Sequence, residues 1–495
     1  MLADHDACYR ALASHDARFD GRVFVGVTST GVYCRPVCRV RLPLARNCVF
    51  YPSAAAAEVA GFRPCLKCRP ELAPGLAPVD AQGRLARRAA LIMTGEDVPG
   101  GVEEVAARLS VTARHLRRAF GREYGVAPAG FLRTRRLLLA KALLTDTALP
   151  IADVAFTSGF GSIRRFNETF REHYRMAPGR LRSGLRRPAA PDAAPRSEVT
   201  VLTGYRPPLD WEGLLGFLGA RTIAGIDAAD DGTYQRAVRL VRDGHAHDGH
   251  ITVRPSAGRD ALAVTVSASL LPVLPTVLAR VRALFDLDCE PLAIHDHLRP
   301  MDDLIPGANR LGVRVPGAFD PFEMAVRAVI GQQVSVKAAR TVTNRFTEAL
   351  GEPVGHPARG LIRVFPSAEA IAAIPGPIEE TLGPLGVTRR RAGAIRALAE
   401  AMASGTIDLS PTADVAATME RLLAVSDIGP WTAHYLAMRA LAWPDAFPHT
   451  DFGVKLALTR ALGPDADISA GRILDMAEDW KPWRAYAAMN LWRTL

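Results

Sequence analysis

A chain of 495 residues exceeds what one hydrophobic core holds and implies three or four domains of about 100–200 residues each. Its 48% hydrophobic, 23% charged and 7% aromatic residues exclude a disordered or fibrous chain, and no apolar run approaches the roughly 20 residues of a spanning helix, so the expected location is the cytoplasm. The formal charge of +10 is unevenly held: residues 1–197 carry 31 Lys+Arg against 17 Asp+Glu, residues 198–495 carry 30 against 34, and a polyanion such as nucleic acid is the expected partner of the first two-fifths.

The first block, 1–75, has short alternating segments, RVFVGV around Phe24 and NCVFY around Phe50, punctuated by Gly and Pro. It has too few apolar residues for a large core, and a bound metal would supply the missing stability. Cys34, Cys38, Cys65 and Cys68 follow the spacing C-x3-C, 26 residues, C-x2-C. Two such pairs can close one tetrahedral four-thiolate site, for which Zn²⁺ is the best-suited metal; a structural staple and a reactive centre both fit that spacing. Cys8 and Cys48 have no such pairing and read as ordinary buried thiols.

Two Pro- and Ala-rich linkers, 71–80 and 185–198, bound a helical block at 82–184. There Val102, Val105, Ala106 and Leu109 keep a helical period that breaks at Ser110 and resumes with Leu116 and Phe120. The same grammar recurs with Ile151, Val154 and Ala155, a turn at Gly159, Phe160 and Gly161, and then Ile163, Phe166 and Phe170. Two helix-turn-helix units are expected, with reading helices starting near Thr112 and Ser162 and Arg114, Arg117, Arg118, Arg164 and Arg165 as major-groove contacts. Outward arginines on merely solvated helices are the competing reading.

Beyond the second linker, HITVRP (from His250) and ALAVTVS (from Ala261) alternate as strands, and an apolar helix surrounds 274–285. An antiparallel-sheet α+β domain at 199–312 and an almost entirely helical one at 313–495 are expected. Within the latter, residues 420–441 read as a helix, a tight hairpin at Ser426, Asp427, Ile428 and Gly429, and a second helix, an arrangement that offers backbone N–H groups to a DNA phosphate. Asp451 stands at the start of the next helix, where an N-cap is its ordinary role. FEMAVRAVIGQQVSVKAA (322–339) is an apolar helix running into a Gly-Gln-Gln turn.

These segments carry three resemblances. TGVYCRPVCR (30–39) and GFRPCLKCRP (61–70), with NCVFYPSAAAAEVAGF between them, resemble the N-terminal domain of the Ada-type adaptive-response regulators. That likeness implies a zinc-bound cysteine, here Cys34, that irreversibly takes a methyl group from a methylated DNA phosphate, with Cys38, Cys65 and Cys68 completing the site. Four thiolates with one Zn²⁺ carry formally about −2, and methylation of Cys34 leaves about −1. Repulsion from DNA would fall while Arg35, Arg39 and Arg69 kept attracting it, an electrostatic switch for DNA affinity. SGFGSIRRFNETFREHYRMAPGRLR (158–182) is similar to the signature of AraC-type regulators, which implies two groove-reading units per subunit, with RNA polymerase as a further partner of a monomeric, nucleoid-associated protein.

The hairpin, Asp451 and the 322–339 segment, together with YRPPLDWEGLLGFLGART (205–222), LFDLDCEP (284–291) and WKPWRAYAAMNLW (480–492), resemble the helix-hairpin-helix DNA glycosylases of the 3-methyladenine DNA glycosylase II type. The likeness implies Asp451 as catalytic carboxylate, Trp431, Tyr435 and Trp492 as base-pocket aromatics, Ile428 and Gly429 at the DNA backbone, and a monovalent cation at the hairpin. Gln333 takes the place where some relatives have a leucine wedge, and Ser426 and Asp427 replace an expected Pro-Gly, putting a carboxylate near a phosphate. No lysine lies between Glu420 and Thr450 for a Schiff base, so a monofunctional enzyme is expected, and Cys289 lacks a Pro-Cys-His motif, so no repair of O6-alkylguanine is. The whole reads as a multidomain α+β chain: a small zinc-stabilised α/β domain, an all-α AraC-type double helix-turn-helix, an antiparallel-sheet α+β domain and an all-α glycosylase domain. Its rivals are a regulator whose C-terminal half is only a DNA clamp, a glycosylase for deaminated or oxidised bases, and a zinc-sensing regulator.

Overall fold

The computed structural model describes residues 4–73, 84–94, 101–184 and 197–495; most of the two expected linkers, 74–80 and 185–196, lies outside them. By its contacts the chain separates into two compact units, Met1–Pro207 with Leu240–Ala279 and Pro208–Arg239 with Arg280–Leu495. Among the described residues no helix is long and apolar enough to cross a membrane.

The first unit opens with the helix His5–Ala13, which is followed by a four-stranded sheet in the order Cys48–Tyr51, Phe24–Val27, Val32–Cys34, Arg63–Pro64. The first three strands are antiparallel, but Val32–Cys34 and Arg63–Pro64 run parallel, with Tyr33 opposite Pro64. A parallel pair needs a crossover, and the helix Ala54–Val59 supplies it, started by Ser53, whose Oγ accepts the Ala56 N–H at 3.0 Å. Cys8 and Cys48 are buried thiols, as expected, and burial pushes the pKa of both up.

The helical block repeats one design. Val102–Arg108 leads to Ala113–Tyr124, and Ile151–Thr157 leads to Ile163–Tyr174, with the long helix Pro128–Asp146 between them. The turns fall where a left-handed residue ends the first helix of each pair, Ser110 at φ +55° and Gly159 at φ +85°. Thr112 and Ser162 then cap the second helices, each side-chain oxygen accepting an N–H three residues on at 3.2 Å. Phe120 and Tyr124 in one reading helix, and Phe170 and Tyr174 in the other, bury the same face.

Buried polar contacts fasten this block to the cysteine domain. Ser53 Oγ donates to the Tyr124 carbonyl at 2.6 Å, Thr134 Oγ1 donates to Glu58 at 2.8 Å, and Arg69 bonds both oxygens of Asp146 at 2.7 and 2.8 Å. Glu71, expected to open a linker, is instead held inside by Arg69 at 2.8 Å and by Lys141. The unit also contains the antiparallel strands Glu198–Gly204, Ala261–Ser267 and His245–Pro255.

The second unit includes the strand Asp227–Asp230, whose antiparallel partner begins at Thr233, and the helix Trp211–Gly219. It is otherwise mainly helical, as expected, with one difference. A β-hairpin, Glu352–Ala358 with Leu361–Val364, interrupts the run of helices. Arg359 and Gly360 both have positive φ, the demand of a two-residue hairpin turn, and Val354, Leu361 and Val364 supply its buried face.

Candidate functional site

The parallel pairing of Tyr33 with Pro64 makes the next residues, Cys34 and Cys65, neighbours, and the Cys65 N–H donates to the Tyr33 carbonyl at 2.9 Å. Turns bring in Cys38 and Cys68, so that the four sulfur atoms lie within 4.8 Å of one another, all four in free cysteines. The Arg35 and Lys67 N–H groups donate to Cys68 and Cys65 sulfurs at 3.4 Å, contacts that favour thiolates. Four soft donors at that spacing fit one Zn²⁺, bound at about 2.3 Å per sulfur. Cys34 is 6% exposed; Cys68 is the most open of the set.

Two of the expected DNA contacts face inward. Arg35 is clamped on Asp20, with its Nε 2.8 Å from a carboxylate oxygen, and Arg69 is committed to Asp146 and Glu71, so neither guanidinium is presented to a phosphate. A buried arginine left unpaired would cost more than the fold tolerates, which is why both carry internal carboxylates. Arg39 and Lys67 are exposed at the site instead, Lys67 Nζ reaching the Arg39 carbonyl at 3.4 Å. Arg114, Arg117, Arg118, Arg164 and Arg165 are all exposed on the two reading helices. The pairs Arg117–Glu103 (2.5 Å) and Arg164–Glu168 (3.0 Å) are solvent-exposed and therefore cheap to exchange for a phosphate.

In the second unit Asp451 is both a helix cap and the focus of an aromatic cluster. Its Oδ1 accepts the Val454 N–H at 3.1 Å, starting the helix Phe452–Leu462, and also accepts Trp492 Nε1 at 2.8 Å, while Oδ2 accepts Trp431 Nε1 at 2.7 Å. Two indole N–H groups thus orient one carboxylate. Trp431 stacks on Tyr435 at 5.2 Å and 14°, because both lie on the helix Pro430–Arg439 four residues apart, and Tyr435 faces Trp492 at 6.3 Å and 50°.

The hairpin departs from expectation in its details. Ile428 turns its side chain into the core, 4% exposed, and its N–H is used by the Val425 carbonyl, leaving Gly429 as the exposed cap of Pro430–Arg439. Asp427 stands at φ +65°, and its carboxylate is neutralised by Arg390, whose Nε lies 2.8 Å away. Gln333 is exposed at φ +53°. Its neighbour Gln332 fastens the turn to the hairpin, donating at 3.0 Å to both the Asp427 carbonyl and Thr432 Oγ1.

Sequence reasoning missed Phe217, Arg221 and Arg439. Phe217 stacks on Trp492 at 6.2 Å and 17°, the Arg221 guanidinium lies 3.7 Å from the Phe217 ring centre, and Arg439 Nη1 donates to the Tyr435 hydroxyl at 2.6 Å. Burial alone would raise the Tyr435 pKa, but Arg439, Arg221 and Arg327 outweigh it and hold the phenol below its ordinary value. Phe217 and Arg221 fall within the quoted 205–222 segment, yet nothing local to it points at a pocket that closes some 200 residues further on.

Four stretches match known families: residues 7–71 the metal binding domain of Ada, 105–184 a helix-turn-helix domain, 200–320 the AlkA N-terminal domain, and 326–482 the HhH-GPD superfamily of base excision DNA repair proteins. A metal-binding regulator joined to a base excision protein is the class they define. The "Probable bifunctional transcriptional activator/DNA repair enzyme AlkA" of Mycobacterium tuberculosis is 39% identical over 497 residues, covering 100% of this chain and 97% of that protein. The Escherichia coli "DNA-3-methyladenine glycosylase 2" is 34% identical over 59% of this chain and 95% of its own length, and the Escherichia coli "Bifunctional transcriptional activator/DNA repair enzyme Ada" is 31% identical over 33% of this chain and 46% of its own. The chain belongs to the family of bifunctional transcriptional activator/DNA repair enzymes.

Proposed function

We propose that the second unit hydrolyses the N-glycosidic bond of alkylated purines of the 3-methyladenine type, and that the first unit takes a methyl group from a DNA phosphotriester and regulates transcription. The observation that carries the first part is the Asp451 carboxylate held by two indole N–H groups beside stacked aromatic rings. A base turned out of the duplex stacks on those rings, and a cationic alkylpurine gains about 0.5–2 kcal/mol per ring face. Asp451, fixed opposite the sugar, stabilises the oxocarbenium cation as the base leaves and orients the water that replaces it. The absence of a lysine between Glu420 and Thr450 supports a monofunctional enzyme that leaves an abasic site.

For the first unit, Zn²⁺ on Cys34, Cys38, Cys65 and Cys68 would keep the acceptor sulfur a thiolate at neutral pH. Arg39 and Lys67 bring a phosphate to the cysteine cluster, and the two reading helices place their arginines in successive grooves of a promoter, where RNA polymerase is recruited to a monomeric regulator. Two assays test the two parts. Alkylated duplex DNA should release free base, with strand breaks appearing only after alkali; direct breaks contradict a monofunctional enzyme. DNA carrying methyl phosphotriesters should add one methyl mass to the wild type and none to Cys34→Ala; a mass gain retained in that variant moves the acceptor to another cysteine, Cys68 being the most open.

A further inference from the structure

The hairpin before Pro430–Arg439 carries a carboxylate at a position that glycine would occupy without strain. Asp427 stands at φ +65°, a left-handed conformation that glycine adopts freely and other residues rarely. Its side chain is 21% exposed, and one oxygen, Oδ1, accepts from Arg390 Nε at 2.8 Å and lies 2.5 Å from Arg390 Nη2. The Arg390 side chain is itself 85% exposed, in the first turn of the helix Arg389–Ala403, and an ion pair that open adds little to stability. Asp427 is its one carboxylate partner among the described residues, and that contact leaves several of the five guanidinium N–H donors unspent. Three elements are laced together at this place. Arg391 bonds the Gln332 carbonyl, and Gln332 donates at 3.0 Å to both the Asp427 carbonyl and Thr432 Oγ1. The start of Arg389–Ala403, the Gly-Gln-Gln turn and the hairpin therefore hold one arrangement, on which Gln333, Arg390 and Gly429 are exposed.

We infer that Arg390 is a DNA-anchoring residue: held on Asp427, its guanidinium grips a backbone phosphate beside the hairpin, so that an acidic hairpin presents a cation to the duplex. The inference rests on the glycosylase reading above and adds to the hairpin a side chain from a separate helix. A bare carboxylate two residues before Gly429 would repel a phosphate and oppose the attraction of the helix N-terminus that Gly429 caps. With Arg390 in place the pair is neutral, and its more exposed member is the cation. The planar fork engages Asp427 through Nε and Nη2 and keeps its remaining N–H groups for a second anion, for which phosphate geometry is well matched. Because Asp427 already fixes the fork, little side-chain freedom is lost when the phosphate arrives. The flanking arginines are engaged elsewhere, Arg391 on the Gln332 carbonyl and Arg389 on Glu379 at 3.3 Å.

Single-turnover base release from alkylated duplex, followed against protein concentration for the full-length wild type, Arg390→Ala, Asp427→Gly and the double variant, tests this. Arg390→Ala should raise the half-saturating concentration by about 30-fold while the saturating rate stays within about threefold. The log–log salt slope of that concentration should fall by about 0.9, one phosphate contact. Asp427→Gly, which suits the left-handed backbone, should cost less than about threefold, and removing Arg390 in that background should cost about fivefold, since no carboxylate is then left bare. An unchanged half-saturating concentration in Arg390→Ala would make the pair an ordinary surface contact and overturn the inference. So would a loss confined to the saturating rate, which marks a structural role, and so would an Arg390 that is wholly dispensable once Asp427 is glycine, which makes it only a neutraliser. A loss of the same size in both backgrounds would remove Asp427 as the anchor and overturn the inference as well. A wild type that releases no base overturns the glycosylase reading itself and the inference with it.

Discussion

A Cβ at position 453 would lie 2.9 Å from Trp492 Cδ1 and 3.0 Å from Asp451 Oδ1, so the glycine is what lets the indole approach the carboxylate. Gly453→Ala should displace Trp492 and lower the single-turnover excision rate by roughly 10- to 100-fold with the fold intact, as expected when a catalytic group moves by about 1 Å. An unchanged rate would show that the Trp492 contact is dispensable. His434 gives a separate, pH-dependent expectation. Burial, with His449 and Arg484 adding to it, pushes its pKa down to about 4, and its Nδ1 accepts the Phe447 N–H at 3.3 Å, which only the neutral ring can do. The unfolded chain therefore binds more protons between about pH 6.5 and 4; the stabilisation is complete above about 6.5 and lost as pH falls towards 4. Discounted for partial exposure, this amounts to about 1–2 kcal/mol. Denaturant unfolding followed by tryptophan fluorescence should show the decline, and His434→Gln should flatten it. Asp451 was legible from sequence because its place after the hairpin and its register with Trp431 and Trp492 are linear facts. Arg35 and Arg69 misled because an arginine beside a metal site reads as outward until Asp20 and Asp146 are seen to claim it.

The cysteine cluster depends on one element-level fact, the parallel register that places Cys34 beside Cys65, and the spacing of the thiols announced the cluster without announcing the sheet. The same domain is fastened to the helix Pro128–Asp146 by Lys141, which is 1% exposed and bonded to Glu71 and to the Cys65 carbonyl at 3.4 Å. Burial would raise the Glu71 pKa, but Lys141 and Arg69 outweigh it and keep the carboxylate ionised. Lys141→Met leaves that charge undercompensated and should destabilise the first unit by about 3 kcal/mol. Earlier thermal release of zinc from the variant checks this; release at the wild-type temperature would contradict it. The helix-turn-helix elements were readable because periodicity, breaks and caps are local, with Thr112 and Ser162 in place. The hairpin at 352–364 escaped notice because a Pro- and Gly-rich segment between long helices reads as a loop until a core, here Ala237, gives its apolar face a partner.

At the scale of the molecule, charge and tryptophan are divided. The net positive charge belongs to residues 1–197, whereas all six tryptophans lie in the second unit, two of them, Trp431 and Trp492, on the Asp451 carboxylate. Binding of the full chain to undamaged duplex DNA should therefore lose affinity steeply with salt, and replacing Arg114 and Arg164 together should reduce the log–log slope by about 0.9 for each phosphate contact removed. A slope unchanged by that pair would remove them from the interface. The central claim is that Asp451 drives excision in a chain that also senses and regulates. Its most direct test is single-turnover release of 3-methyladenine from alkylated duplex by wild type and Asp451→Asn at matched DNA occupancy. The wild type should release the base and leave alkali-labile sites, and the variant should be slower by at least about 100-fold. Release at equal rates by both proteins, or by neither, would contradict the account.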